Sequence, residues 1–282
     1  MQLVANHDRK VNSWEYLVQV VIVHVMALGV APFYFSWDAY LFNVAAMVVF
    51  LYPLGMFYHM LLSHRAFRCP KWLEYLGSLL ATLAWRGPFA GPVRYVAIHR
   101  VHHAYSDTDH DPHSPIHGIA HAMGTWFWRM PEGLYYRENY EQYAADVARD
   151  PVHRFMDRNV LLLQALWALL CYAIGGVPYV LYGVFVKTLA SIYVGNLVDW
   201  LNHAPHPGGY RNYETSDTST NSKVMAFVHW GGAVSWHNNH HAKPKYFMVK
   251  KNWWEFDLHY LGLRVLQRLG LASDIRVLDE TA

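Results

Sequence analysis

The sequence predicts an all-α integral membrane protein of four transmembrane helices, arranged as two hairpins beneath a helical cap rich in histidine. Three observations lead there. The 282 residues are 54% hydrophobic and only 16% charged, far from the composition of soluble domains. Two apolar stretches, 13–58 and 159–203, each hold two segments of the ~20 residues that a bilayer span requires. The polar segments that follow them, 59–158 and 204–282, carry most of the 19 histidines.

The first hairpin is broken only around "APFYFSWD" (31–38), and the second turns at "GGVP" (175–178), where glycine and proline suit a reversal. Arg9 and Lys10 precede the first span while neither outer turn contains Lys or Arg, so the positive-inside rule puts both termini and the histidines in the cytoplasm. The apolar stretch is longer than a signal-peptide core and lacks a small-residue cleavage site, so it is expected to be retained. The segment "WLEYLGSLLATLAWRGPFAGP" (72–92) is apolar enough to be a fifth span, yet a crossing there would strand His99 opposite His64. Arg86, Gly87 and Pro88 also interrupt it, so it is expected to lie at the interface, with "HGIAHAMGTWFW" (117–128) as a second interfacial piece. The whole chain, 1–282, then forms one membrane domain. A formal net charge of +2 gives no basic footprint for nucleic acid, and Cys69 and Cys171 make neither a disulfide framework nor a thiolate metal site.

Four clusters stand out from the scattered histidines: His59 with His64; His99 with His102 and His103; Asn202 with His206; and His237 with His240 and His241. On a helix, positions three or four apart share a face, so H-x-x-H-H and N-x-x-x-H each direct side chains toward one point. His59 and His64, five apart, diverge by about 140° at 3.6 residues per turn, which suits ligands to two neighbouring metals. Nine imidazoles exceed what one tetrahedral zinc takes, and imidazole serves iron, copper, nickel and zinc alike. Spacing therefore implies two metals without naming them. Histidines elsewhere, His24, His203, His229 and His259 among them, read as ordinary satisfied polar residues.

The stretches "HMLLSH" (59–64), "HRVHHAYSDTDHDPHS" (99–114) and "HNNHH" (237–241) resemble the three histidine boxes of the integral-membrane fatty acyl desaturases, the stearoyl-CoA desaturase group, and the order hairpin, cap, hairpin, cap matches along nearly the whole chain. The resemblance implies a di-iron centre held by His59, His64, His99, His102, His103, His237, His240 and His241. It adds one ligand from an N-x-x-x-H stretch whose asparagine holds a metal-bound water. "NHAPH" followed by "GYRNYET" matches that stretch, giving His206 the ligand role and Asn202 the water, with His203 as the competing ligand. Asp107, Asp111 and His113 follow the second box, where they are expected to orient ligand imidazoles through the other ring nitrogen. "HPGG" (206–209) is also a cytochrome b5 haem motif, but too little chain surrounds it for a haem module, so electrons are expected from a separate donor, a ferredoxin or cytochrome b5-type protein with its reductase.

The implied reaction uses O2 and two iron ions to remove two hydrogens from adjacent carbons, leaving a cis double bond, delta-9 in type, in a saturated chain on CoA or a lipid. An apolar tunnel is needed to aim the chain, and Met47, Leu51 and Gly55, preceding His59 at helical spacing, are expected in its wall. The same boxes also serve hydroxylases and acetylenases. A histidine-rich metal transporter is the alternative of another class, but it predicts ionisable residues along the spans, where only His24 and Lys187 lie deep. Arg65, Arg68, Lys71, Arg94 and Arg100 are candidates for anionic head groups or simply for the cytoplasmic face. The expected home is a bacterial cytoplasmic membrane, with the endoplasmic reticulum as runner-up.

Overall fold

The computed structural model describes residues 10–87 and 90–280; Arg9 and Pro88, used above, lie outside them. Ser13 and Ser36 open the first two long helices. Each accepts a backbone N–H of the first turn, Ser13 Oγ from Tyr16 (3.3 Å) and Ser36 Oγ from Ala39 (3.4 Å), which satisfies one of the orphan donors at a helix start. The helices run Trp14–Tyr34 and Trp37–Ser63, both long and apolar enough to cross a membrane. Leu28, Phe33, Leu41 and Val48 face outward, as lipid-facing positions do, while Ala39, Ala46 and Phe50 pack inward.

A third apolar helix covers Val160–Leu201, 42 residues. A straight helix of that length would measure about 63 Å, twice the hydrocarbon core of a bilayer. It is not straight: Gly175 and Gly176 leave the helical region, Gly176 at φ 68°, a conformation that glycine adopts at little cost. The arms on either side fold back on one another. Trp167 Nε1 donates to the Gly183 carbonyl at 2.9 Å, and a Cβ on Gly183 would lie 3.0 Å from Cys171 Sγ. Among the described residues there are thus three helices of spanning length where the sequence predicts four spans, and the "GGVP" reversal lies inside the third.

The segment after the first box forms a helix of 13 residues, Lys71–Leu83, about 20 Å long and short of a crossing. It packs closely on the second helix, for Gly77 lies directly against the Phe57 ring, and it exposes Trp72 and Leu76. The segment 117–128 behaves differently from expectation. It breaks into short turns, and Trp126 and Phe127 are fully buried, because Gly118 and Gly124 take positive φ and fold the aromatic residues into the core rather than along an interface. His24 and Lys187 are satisfied where they stand. His24 Nε2 meets the Tyr193 hydroxyl at 2.8 Å, and Lys187 Nζ donates to the Leu83 carbonyl.

Candidate metal centre

The first box sits on a helix that changes pitch. Pro53, inside the second long helix, carries no N–H to donate, and from Leu54 to Ser63 the chain winds as a π-helix. Residues five apart then stack, and the His64 N–H bonds to the His59 carbonyl at 3.3 Å. The two rings consequently share one side, with centroids 5.0 Å apart, and belong to a single group. The 140° divergence expected from 3.6 residues per turn does not occur, since i→i+5 bonding replaces i→i+4.

The second box lies on the helix Pro92–Tyr105. Arg100 fastens it to the first, donating to the carbonyls of Leu62 (3.0 Å) and Ser63 (3.3 Å) and to Asp146 (2.7 and 2.9 Å). The third box is a short helix, His237–Ala242, held by its two asparagines. Asn238 Oδ1 accepts from the Asn212 and Tyr213 amides. Asn239 reaches Asn212, Asn221, the Val249 carbonyl and the wholly buried Glu255. Glu255 also collects Tyr210, Asn212, Asn252 and two backbone amides. "GYRNYET" is thus a scaffold for the third box.

These elements bring the histidines together in two groups. His59, His64, His99, His103 and His240 form one; His102, His203, His237 and His241 form the other; in each, the ligand atoms lie within 4.8 Å of one another. The second and third boxes therefore do not each point at one spot. Their i,i+4 pairs, His99 with His103 and His237 with His241, go to opposite groups, and His102 and His240 cross over.

His203, not His206, completes the four-membered group. The sequence reading required the helix to continue through residue 206, but it ends at Leu201, before Pro205 and Pro207, which cannot extend it. His203 turns inward, its Nε2 2.9 Å from that of His237, while His206 lies in the following turn against Ser222 Oγ at 3.3 Å. Asn202 is buried; its Nδ2 donates to the Val234 carbonyl at 2.6 Å while its Oδ1 has no hydrogen-bond partner, and the residue one helical turn before His203 is Asp199. Asp199 lies 3.5 Å from His113 Nδ1 and lines the cavity described below. No spacing rule had singled it out.

Asp107 and Asp111 stand where the sequence put them. Asp107 Oδ2 accepts from His203 Nδ1 and Asp111 Oδ2 from His102 Nδ1, both at 2.9 Å, which fixes each tautomer and leaves Nε2 for the group. The His113 ring lies tilted against that of His102, with centroids 4.4 Å apart. Asp217, which the sequence reading missed, does the same for His241 at 2.9 Å; its "TSDTST" context reads as an ordinary polar turn.

Burial, reinforced by neighbouring rings, holds His64, His99, His103, His237, His240 and His241 well below the usual imidazole range, so they are neutral, as ligands must be. His102 departs from this pattern: burial opposes the charge, yet the adjacent Asp111 raises it to about 9. Against the same burial, His102 holds Asp111 down to about 2. Neutral nitrogens face each other, Nε2 to Nε2, at 2.7 Å (His64 with His99), 3.0 Å (His59 with His240) and 3.1 Å (His103 with His240; His237 with His241). Two such sets fit two divalent metal ions with a preference for imidazole.

Beneath the groups runs a cavity lined by His59, His99, His102 and His237 at one end and by Gly55, Leu51 and Met47 toward the other. From His59 to Met47 the helix covers on the order of 15–18 Å. Arg86 and Tyr95 also face it; Gly195 makes room for the Arg86 guanidinium, which any Cβ there would strike. The basic residues offered for head groups are engaged elsewhere: Arg65 and Arg100 with Asp146, Arg68 with Asp274, Lys71 with Glu74 and Asp150, and Arg94 with Tyr16 and the Tyr135 carbonyl. They hold the cap together. Of the two other clusters of potential ligands among the described residues, His102 with Asp111 and His113 adjoins the four-membered group, and Glu74 with Asp150 and His153 is occupied by Lys71.

Comparison with known proteins agrees with this geometry. Residues 40–265 match the fatty acid desaturase family model. The chain is 38% identical over 270 residues to the sn-2 palmitoyl-lipid 9-desaturase of Nostoc sp. (strain 36), covering 93% of this chain and 90% of that protein. It is 33% identical over 279 residues to the sn-1 stearoyl-lipid 9-desaturase of Synechocystis sp., covering 96% and 82%. With the acyl-CoA 5-desaturase AL21 of Anemone leveillei it shares 34% over 266 residues, 94% of this chain and 80% of that one. Two converging histidine groups, an apolar cavity beneath them and a match over most of the length make this chain a member of the fatty acid desaturase family.

Proposed function

We propose that the chain is an O2-dependent, membrane-bound desaturase that places a cis double bond at the delta-9 position of a saturated acyl chain carried on a membrane lipid. The observation that carries the reading is the cavity joining His59, His99 and His237 to Leu51 and Met47. An extended hydrocarbon lying in it passes histidines of both groups and runs on along Leu51 and Met47. The names of the Nostoc and Synechocystis relatives support the lipid carrier and the 9-position, and an acyl-CoA is the other carrier to be tested.

The eight box histidines with His203 would hold two iron ions, which supply the power to reduce O2 and abstract hydrogen from unactivated carbon. The balance is simple: O2 takes four electrons, two from the pair of C–H bonds and two from an external donor, and with two added protons yields two waters. The protein's share is orientation and exclusion of water. Asp107, Asp111 and Asp217 fix imidazole tautomers, Gly55 and Leu51 shape the channel beside His59, and the buried groups keep bulk solvent away. We place the histidines on the cytoplasmic side of a bacterial membrane, with the apolar arms Val160–Gly175 and Gly176–Leu201 crossing as two spans. Both termini are then cytoplasmic, and the donor is a ferredoxin or a cytochrome b5-type protein with its reductase.

Expression in a host lacking desaturase activity, with double bonds located by mass spectrometry, tests this. The expected result is a new 9-unsaturated acyl chain, first in lipids and not in the CoA pool. Hydroxylated or unchanged acyl chains, from protein that retains its iron, would overturn it.

A further inference from the structure

The two histidine groups differ in what stands behind them. In the four-membered group, His102, His203 and His241 each turn Nδ1 to a carboxylate at 2.9 Å, and His237 turns Nδ1 to the Ala233 carbonyl at 3.3 Å. Each carboxylate is pinned by further donors. Asp107 also accepts from Ser114 Oγ, the Thr218 amide and Thr218 Oγ1. Asp111 accepts from the amides of Asp107 and His113, and Asp217 from Thr215 Oγ1, the Ser219 amide and Ser219 Oγ. These donors hold each carboxylate in place against its imidazole.

The five-membered group has nothing comparable. Among the described residues, no carboxylate lies within ion-pair distance of His59, His64, His99, His103 or His240, and His240 Nδ1 is buried without a hydrogen-bond partner. A fixed charge acting on His64 is the Arg100 guanidinium, which is itself paired with Asp146. One group thus has three anions one imidazole away; the other has neutral rings and a paired guanidinium.

Resting on the reading of a two-iron centre, we infer that the two metal positions are chemically inequivalent: the four-histidine position binds its iron more tightly and oxidises first, and Asp217 is a positioning residue for it through His241. The physical reason has two parts. A carboxylate on Nδ1–H raises the basicity of the ligating Nε2. Fixed negative charge nearby also stabilises the higher metal charge. The five-histidine position then keeps its iron ferrous longer and releases it more readily.

The test uses the full-length protein in detergent, loaded with 57Fe(II) under anaerobic conditions, with Mössbauer spectra before and after removal of one electron per chain. Two ferrous doublets of equal area are expected, one of which disappears first on oxidation. In D217N, that same doublet is shifted and the other is unchanged. A chelator removes one iron from D217N about 10–100-fold faster than from wild type, the usual effect of losing such a partner, and the second at the wild-type rate. D111N reads out the same position should D217N not fold, and D217E is expected to restore the wild-type spectrum. Two equivalent irons, or a D217N effect on the doublet that stays ferrous, would overturn the inference alone. Protein holding fewer than two irons would overturn the two-iron reading with it.

Discussion

His203 Nδ1 donates to Asp107 Oδ2 at 2.9 Å across 96 positions of sequence, and this bond ties the end of the last apolar helix to the turn after the second box. It explains why the imidazole at this corner is that of His203. The same carboxylate oxygen takes two bonds from Thr218, so three segments meet at one anion.

The first prediction follows from that choice. H203A is expected to lose one of the two irons and all new double bonds, whereas H206A, whose ring nitrogens meet Ser222 Oγ and the Ala204 carbonyl, keeps both irons and at least half the wild-type unsaturation. Iron content by elemental analysis, alongside the acyl profile of the expressing cells, decides it; equal loss in both variants would restore His206 to the centre.

Asp107 gives a graded prediction. D107N retains the shape but removes the charge behind His203, and an amide offers its oxygen only in one flip. Iron affinity should fall about 10–100-fold, with the helical content of the protein unchanged by circular dichroism. An unaltered chelator-competition constant would show that the pair is incidental.

The cavity predicts separable effects at its two ends. At Gly55 an added Cβ already meets His259 Nε2 at 2.9 Å, so G55L blocks the channel beside His59, and at least tenfold loss of activity with two irons retained is expected. Met47 lies toward the far end, so M47W should shift products toward shorter acyl chains while M47A admits longer ones. Products of unchanged length distribution in both Met47 variants would remove this residue from the tunnel.

The metal-free protein should be sharply acid-sensitive. His99, His237 and His240 are neutral when folded because burial holds them below their unfolded value near 6.5. Below about pH 6.5 the unfolded chain binds more protons than the folded one, and stability falls by about 1.4 kcal/mol per pH unit for each such group. His102, raised to about 9 by Asp111, has the opposite sign: its contribution is complete below pH 6.5 and is lost as pH rises through 9. A thermal-midpoint series on chelator-stripped protein in detergent should therefore peak near neutrality and fall on both sides. A flat profile between pH 5 and 7 would contradict the burial of neutral rings.

By itself the sequence determined the class of molecule and the imidazole donors of its candidate centre. Apolar length, the three histidine boxes and the aspartates after the second box are local patterns, so long apolar helices, donor types and the Asp107 and Asp111 partners were legible from them. Tertiary structure alone decided how those donors are shared. Proline at 53 and the π-helical winding after it placed His59 and His64 on one side, against the 3.6-residue reading, and the helix end at Leu201 selected His203. The split of each box between two groups, the role of Asp217 and the approach of Asp199 to His113 depend on segments far apart in the chain. Periodicity describes one helix at a time, whereas a metal site is defined by where several helices end.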